Sequence, residues 1–219
     1  MKGLECFMDI TKLRYGHNPH QNAKWEKCDS GSGFNISLLN DTSFSLTDLQ
    51  NIDLFIRLIC HINSNVVFII KHGLLVGAAY GDDSIECLLS CAISADPEAS
   101  HTGTIATNMN LNAYWIDKLI QYPFDVIVST SISQDAIDWI NNNREVNPRI
   151  VHLSKGNITK SLSNVYTLFD GSEITEDVFV TKIISLNDFK FFHANQEKKK
   201  KVNDDFVFAW HITQNLLSI

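Results

Sequence analysis

The chain has 219 residues, 44% of them apolar and 20% charged, with a formal net charge of −7, the make-up of a soluble globular protein of one large domain or two small ones. The acidic balance argues against nucleic acid as a partner, since such proteins carry a basic face, while leaving room for a local cationic pocket. No apolar run approaches the roughly 18 residues of a membrane helix, and the opening MKGLECFMDITK is too short and polar for a secretory signal, so no membrane partner is expected and the expected location is cytoplasmic.

The first segment with chemistry is Leu13 to Gln21, LRYGHNPHQ, dense in hydrogen-bonding side chains and nearly free of apolar ones. It suits neither a buried strand nor a buried helix, and so must face something polar. Residues 28–35, CDSGSGFN, read as an exposed turn. Ser45 and Asp48 have capping-box spacing and open a helix whose Leu49, Ile52, Phe55, Ile56 and Ile59 share a face. Val66 to Ile70 is a short β-branched run, hence a buried strand. KHGLLVGAAYGD, with three glycines, reads as the strand's end plus a loop. A second helix from Asp83 or Ser84 buries Ile85, Leu88, Leu89, Ala92 and Ile93, and Asp96-Pro97 stops it.

Alternation continues with a weak strand at Thr104–Thr107, a helix from Asn112 to Gln121, a strand at Asp125–Val128, a helix capped by Ser133 and a strand at Arg149–Leu153. The pattern predicts an α/β layered domain with a central, largely parallel sheet. Residues 164–186 then read as antiparallel edge strands. Lys198 to Lys201 is a solvated run, and Asn203 opens a last amphipathic helix with Phe206, Trp210, Thr213 and Leu217 on one side. The five cysteines, Cys6, Cys28, Cys60, Cys87 and Cys91, are scattered without a CxxC pair, which favours reduced thiols. Cys87 and Cys91, four apart on a helix, are expected to pack, and no metal is expected.

Three places concentrate polar chemistry. In LRYGHNPHQ, Arg14 offers a planar fork for phosphate or carboxylate, and Tyr15 an aromatic face and a hydroxyl. Lys71-His72 ends the buried strand, where ligands gather beyond the carboxyl ends of strands in open α/β sheets; Lys71 suits an oxyanion and His72 a proton transfer. The plainer reading has Lys71 snorkelling and His72 capping a turn. Residues Asp96 to Thr104 form a small-residue loop that either cradles a phosphate with backbone N–H groups and hydroxyls or merely connects helix to strand. Together these groups suggest transfer to or from a phosphorylated small molecule. Neither H-x-E nor PCxxC, and no GxGxxG, GxSxG or Walker loop, is present.

In order along the chain these segments resemble the formyltransferase domain of the bifunctional AICAR transformylase/IMP cyclohydrolase family. Leu13 to Gln21 match its LRYG-x-NPHQ motif, with His17 at the variable place. Lys71, His72, Gly77 and Ala79 match its Lys-His strand end, and Asp96-Pro97, Gly103, Ile105-Ala106 and Asn108 keep the register of its next loop and strand. Asp204 to Ile212 resemble its last phrase. The resemblance implies a three-layer, cytidine-deaminase-like α/β domain with a central mixed, largely parallel sheet, over residues 1–195. Residues 196–219 would form a basic linker and a C-terminal helix packing on that domain or on a partner. It implies 10-formyltetrahydrofolate as donor substrate, and as acceptor an amine on a small phosphorylated or nucleotide-linked molecule. Lys71 and His72 would be catalytic. Arg14, Tyr15, Gly16, Asn18, His20, Gln21, Asp48, Ser100, His101, Thr102, Gly103 and Asn108 would bind substrate.

This sequence also departs from the family. An Asn-Pro-x beside the Lys-His pair is Leu74-Leu75-Val76, the aromatic of the following loop is His101, and an Asn of the first long helix is Asp48. The chain aligns with the first half of the family's domain, so its site is expected to be completed by a homodimer or by a partner chain. Two functions stay open: formyl transfer to an amine, or a non-catalytic nucleotide-binding or partner subunit.

Overall fold

The computed structural model describes residues 9–27, 32–60, 62–158, 163–177 and 203–216. Cys6, Cys28, Lys198 to Lys201 and Leu217 lie outside them. Two compact units emerge, Met1–Ile56 with Ser64–Lys160, and Arg57–Asn63 with Ser161–Ile219.

The first unit holds the strands β1 (Asp9–Lys12), β2 (Lys24–Lys27), β3 (Ser32–Leu38), β4 (Val66–Lys71), β5 (Leu74–Tyr80), β6 (Thr104–Leu111), β7 (Val126–Ile132) and β8 (Arg149–Ile158). Its helices are most of α1 (Leu46–Ile59), then α2 (Ile85–Ala95), α3 (Ala113–Leu119) and α4 (Gln134–Asn142). Six strands form one mixed sheet in the order β3-β8-β7-β6-β4-β5. Its centre, β6-β7-β8, is parallel, joined through α3 and α4. The flanking pairs β3-β8, β4-β6 and β4-β5 are antiparallel.

Strand periodicity builds the layers. Ile69, Ile105, Ile127 and Ile150 are successive cross-strand partners, all at most 1% exposed. This row shares a core with Leu88 and Ala92 of α2, Ile116 of α3 and Ile140 of α4. The next row, Phe68, Ala106, Val128 and Val151, is equally buried and points to the other face, because side chains alternate along a strand. There Phe68 meets Phe55 of α1 edge-on at 6.1 Å. The result is three layers: α1, the sheet, and α2 to α4. Burial on both faces explains why the β4 run is continuously apolar.

Capping matches the sequence at α1 to α3, whereas Ser133 stands at the N-cap place of α4 without a side-chain cap bond, its hydroxyl donating to the Leu111 carbonyl at 3.1 Å instead. Ser45 N donates to Asp48 Oδ2 at 2.6 Å and Asp48 N to Ser45 Oγ at 3.3 Å. Ser84 and Asn112 accept from Cys87 N and Trp115 N to start α2 and α3.

Several expectations are corrected. KHGLLVGAAYGD is no loop: His72-Gly73 is a two-residue turn and residues 74–80 are β5, the sheet's edge. Both turn residues have positive φ, 54° and 72°, the geometry of a tight hairpin, which a glycine in second place allows. Gly77 reads as loop-former in the sequence, yet its role is close approach, since a Cβ there would lie 2.2 Å from the Ala92 carbonyl oxygen. Residues 32–35 belong to β3 rather than a turn, and β6 runs on to Leu111. Cys87 and Cys91 are exposed, not packed, because α2 turns its Leu88, Leu89 and Ala92 face to the sheet instead.

In the second unit β9 (Ser163–Thr167) and β10 (Glu173–Asp177) pair antiparallel. Arg57 Nη1 donates to Asn164 Oδ1 at 2.7 Å. The final helix, α5 (Asn203–Leu216), starts at Asn203 as its pattern predicts.

Candidate functional site

A cleft of about 310 Å³ opens in the first unit where six segments meet. Arg14 and Tyr15 come from the loop between β1 and β2. Ser45, Thr47, Asp48 and Asn51 come from the first turns of α1, Lys71 and His72 from the β4-β5 turn, and Thr102, Gly103 and Thr104 from the entry to β6. Asp125 and Arg149, at the starts of β7 and β8, complete its lining. The strand-end rule applied to the sequence points to this place for a reason that does not hold. Because β4 runs antiparallel to β6, its carboxyl end meets the amino ends of the parallel strands, and those carry Thr104, Asp125 and Arg149.

Backbone pairing folds the Arg14-Tyr15 segment back onto the start of α1. Arg14 N donates to the Phe44 carbonyl at 2.8 Å and Leu46 N to the Tyr15 carbonyl at 3.4 Å. Buried Leu13 anchors it, and the Arg14 guanidinium lies 5.7 Å from the Tyr15 ring centroid, in cation–π range. The rest of the motif builds a turn. Gly16 N donates to the Gln21 carbonyl at 2.9 Å, and Gln21 Oε1 accepts from Asn18 N at 2.9 Å. Gly16, Asn18, His20 and Gln21 therefore lie outside the cleft lining, and His17 and His20 are exposed.

The Lys71 ammonium donates to the His101 carbonyl at 2.9 Å and the Ala99 carbonyl at 3.5 Å. Those two carbonyls leave one of its three N–H donors for a ligand. His101 thus acts through its backbone, and Ser100 is buried behind the loop; neither lines the cleft. Gly103, at φ 91°, lets the loop close on β4, since a Cβ there would sit 2.8 Å from the Ile70 carbonyl oxygen. Asn108 is used elsewhere: it accepts from Val66 N and donates to the Ser64 carbonyl, both at 2.9 Å, at the end of β4 opposite Lys71.

Asp48 and Arg149 form a buried ion pair, Arg149 Nε to Asp48 Oδ2 at 3.3 Å, with side chains 8% and 10% exposed. Arg149 also donates from Nε to the Ser43 carbonyl at 2.9 Å and from Nη1 to the Asp125 carbonyl at 3.0 Å. Asp125 Oδ2 accepts from Gly103 N at 3.2 Å. With Asp48 matched by Arg149, the cations Arg14 and Lys71 face one carboxylate among the described residues lining the cleft, Asp125. The start of α1 adds a positive dipole end. The cleft therefore favours an anionic ligand, with a lysine and a histidine beside it.

Sequence reasoning placed Thr104 in a candidate phosphate loop but missed Ser45, Thr47, Asn51, Asp125 and Arg149 as cleft residues. For three of these a signal exists. Asn51 lies one turn after Asp48 on the same helix face, and Asp125 and Arg149 each stand immediately before a buried apolar strand. A family model described as the AICARFT/IMPCHase bienzyme matches residues 4–218.

The chain belongs to the AICARFT/IMPCHase bienzyme family. The match runs through every segment that lines the cleft. Similar curated relatives carry the name bifunctional purine biosynthesis protein PurH. The one from Clostridium perfringens is 24% identical over 172 residues, covering 78% of this chain and 33% of the relative. The one from Oceanobacillus iheyensis is 24% identical over 212 residues, 95% of this chain and 40% of the relative. The Buchnera aphidicola protein is 25% identical over 217 residues, 95% and 39%. This family member thus spans about a third to two fifths of the length of the relatives it matches.

Proposed function

We propose that this chain is a formyltransferase-like enzyme of purine biosynthesis, moving a one-carbon group from 10-formyltetrahydrofolate to an amine of a small phosphorylated or nucleotide-linked acceptor. The observation that carries the reading is that Arg14, Tyr15, Lys71 and His72 line one cleft. Arg14 and the amino end of α1 suit the acceptor's phosphate, and Tyr15 offers a face for its base. The donor supplies an activated formyl carbon. As the amine nitrogen bonds to that carbon, Lys71 stabilises the oxyanion that develops on the formyl oxygen. His72 takes the proton the amine loses, and proton return to the departing folate nitrogen completes the exchange.

Cleft size supports a shared site. About 310 Å³ sits at the low end of the roughly 300–1,000 Å³ of small-molecule pockets, the size of a site for one such ligand. We place the donor's binding surface on a second copy of the chain or on a partner chain. A sedimentation profile that stays monomeric at micromolar concentration with both substrates present would remove that part. Among the described residues no helix is long and apolar enough to cross a membrane; the setting proposed, from the family, is the cytoplasm.

The test is incubation with 10-formyltetrahydrofolate and either AICAR or a panel of amino-sugar nucleotides, followed by mass spectrometry of the acceptor. Transfer by the wild type, lost in a folded Lys71→Ala variant, is the expected result. Transfer that survives Lys71→Ala overturns the assignment. One observation favours the alternative, a non-catalytic nucleotide-binding subunit: Lys71 is already held by two carbonyls. Acceptor binding without transfer would decide for it.

A further inference from the structure

We propose that Asn51 is the positioning residue of the His72 turn, setting where the imidazole stands in the cleft. The role in transfer rests on the formyltransferase reading; the role in the turn does not. His72 and Gly73 occupy the two central places of the β4-β5 hairpin, with Lys71 and Leu74 paired on either side. Both have left-handed φ, 54° and 72°. Glycine adopts that conformation freely, whereas a residue with a Cβ does not, and tight hairpins place asparagine, aspartate or glycine in the first position. Histidine enters that region more readily than most residues with a Cβ, but still less freely than glycine, so a bond that fixes the turn from outside favours it.

Asn51 supplies that bond. Its Oδ1 accepts from Gly73 N at 2.8 Å, and its Nδ2 donates to Thr104 Oγ1 at 2.9 Å. The orientation of the amide follows from the partners, because a backbone N–H can only donate. Asn51 is 2% exposed and Thr104 fully buried, so the bond between them is shielded from water, while the bond to Gly73 N is part-buried. Thr104 pairs with Ile70 across the β6-β4 ladder. Asn51 therefore ties three elements together, α1, the base of β6 and the tip of the hairpin. The neighbouring Asp48 cannot substitute, being held by Ser45 N and Arg149.

Amide exchange and histidine ring resonances of the ligand-free chain, followed by NMR, test the turn. In Asn51→Ala, Gly73 should exchange at least about tenfold faster and the His72 ring signals should move. Asn51→Asp keeps an acceptor for Gly73 N and should restore most of the protection. Should Asn51→Ala not fold, the isosteric Thr104→Val, which frees only the far end of the amide, should give a smaller rise in Gly73 exchange. Unchanged Gly73 exchange and His72 signals in the folded variant overturn the proposal. In the transfer assay, Asn51→Ala should lower kcat by about tenfold or more with KM altered less than about threefold; an unaltered kcat removes the catalytic part. If the wild type transfers nothing while Gly73 and His72 respond as stated, the transfer reading fails and the turn assignment stands.

Discussion

Replacing Arg149 by methionine isolates the buried ion pair under the cleft. Methionine keeps much of the length and apolar stem but removes the charge and every donor. Asp48 then loses its counter-ion while remaining buried, 6% exposed. Breaking a buried pair from one side costs about 3–5 kcal/mol. Two features pull toward the lower end. Asp48 keeps its bond from Ser45 N at 2.6 Å, and a carboxylate in the first turn of a helix gains about 0.3–1 kcal/mol from the helix dipole. Ser43 is exposed, so water can replace the donor its carbonyl loses, and the Asp125 carbonyl keeps its bond from the backbone N of residue 149 at 3.0 Å. A loss of about 3 kcal/mol follows. With a urea slope of about 2–3 kcal/mol per molar, the midpoint should fall by about 1 M or more. Adding Asp48→Asn removes the stranded charge, so the double variant should recover about 1–2 kcal/mol relative to the sum of the singles. A midpoint shift below about 0.3 M for Arg149→Met, or strict additivity in the cycle, would refute the reasoning.

Gly77→Ala should force α2 off β5, because the new methyl meets the Ala92 carbonyl oxygen at 2.2 Å; overpacking of this kind costs about 1–3 kcal/mol, read as a fall in Tm of several degrees. Asp41 is held below its ordinary pKa chiefly by the hydrogen bond from Arg144, which outweighs the opposing desolvation and is assisted by the Arg144 charge. A depressed folded-state value stabilises above the unfolded-state value and is lost as pH falls through the folded one. Asp41→Asn should therefore lower the urea midpoint near neutrality, less so in high salt, and leave it unchanged in strong acid. The Cys87 thiol is pushed up chiefly by the Asp83 carboxylate, so Asp83→Asn should speed its alkylation by iodoacetamide at neutral pH, measured by peptide mass spectrometry; an unchanged rate would remove Asp83 as the cause.

Particular elements show what was legible. The α1 start was readable because Ser45 and Asp48 bond each other's backbone across three residues, a purely local device. The β4 strand was readable because burial on both faces leaves Val66 to Ile70 without a polar position. The β5 hairpin was not, since Leu74 to Tyr80 has glycine at Gly77 for a reason 15 residues away in sequence, the Ala92 carbonyl. In LRYGHNPHQ the polar residues were all plain to see, but not their division of labour. Arg14 and Tyr15 line the cleft while Asn18 and Gln21 close their own turn.

From the residue order alone come the alternation of strands and helices, the caps and the polar segments, because each depends on contacts within a few residues. Tertiary structure decided the rest. The antiparallel placement of β4 against β6 turned Lys71 toward the amino ends of the parallel strands, and so toward Thr104, Asp125 and Arg149. Strand direction and order are set by which apolar faces can be buried together, a property of the whole sheet that no single segment carries.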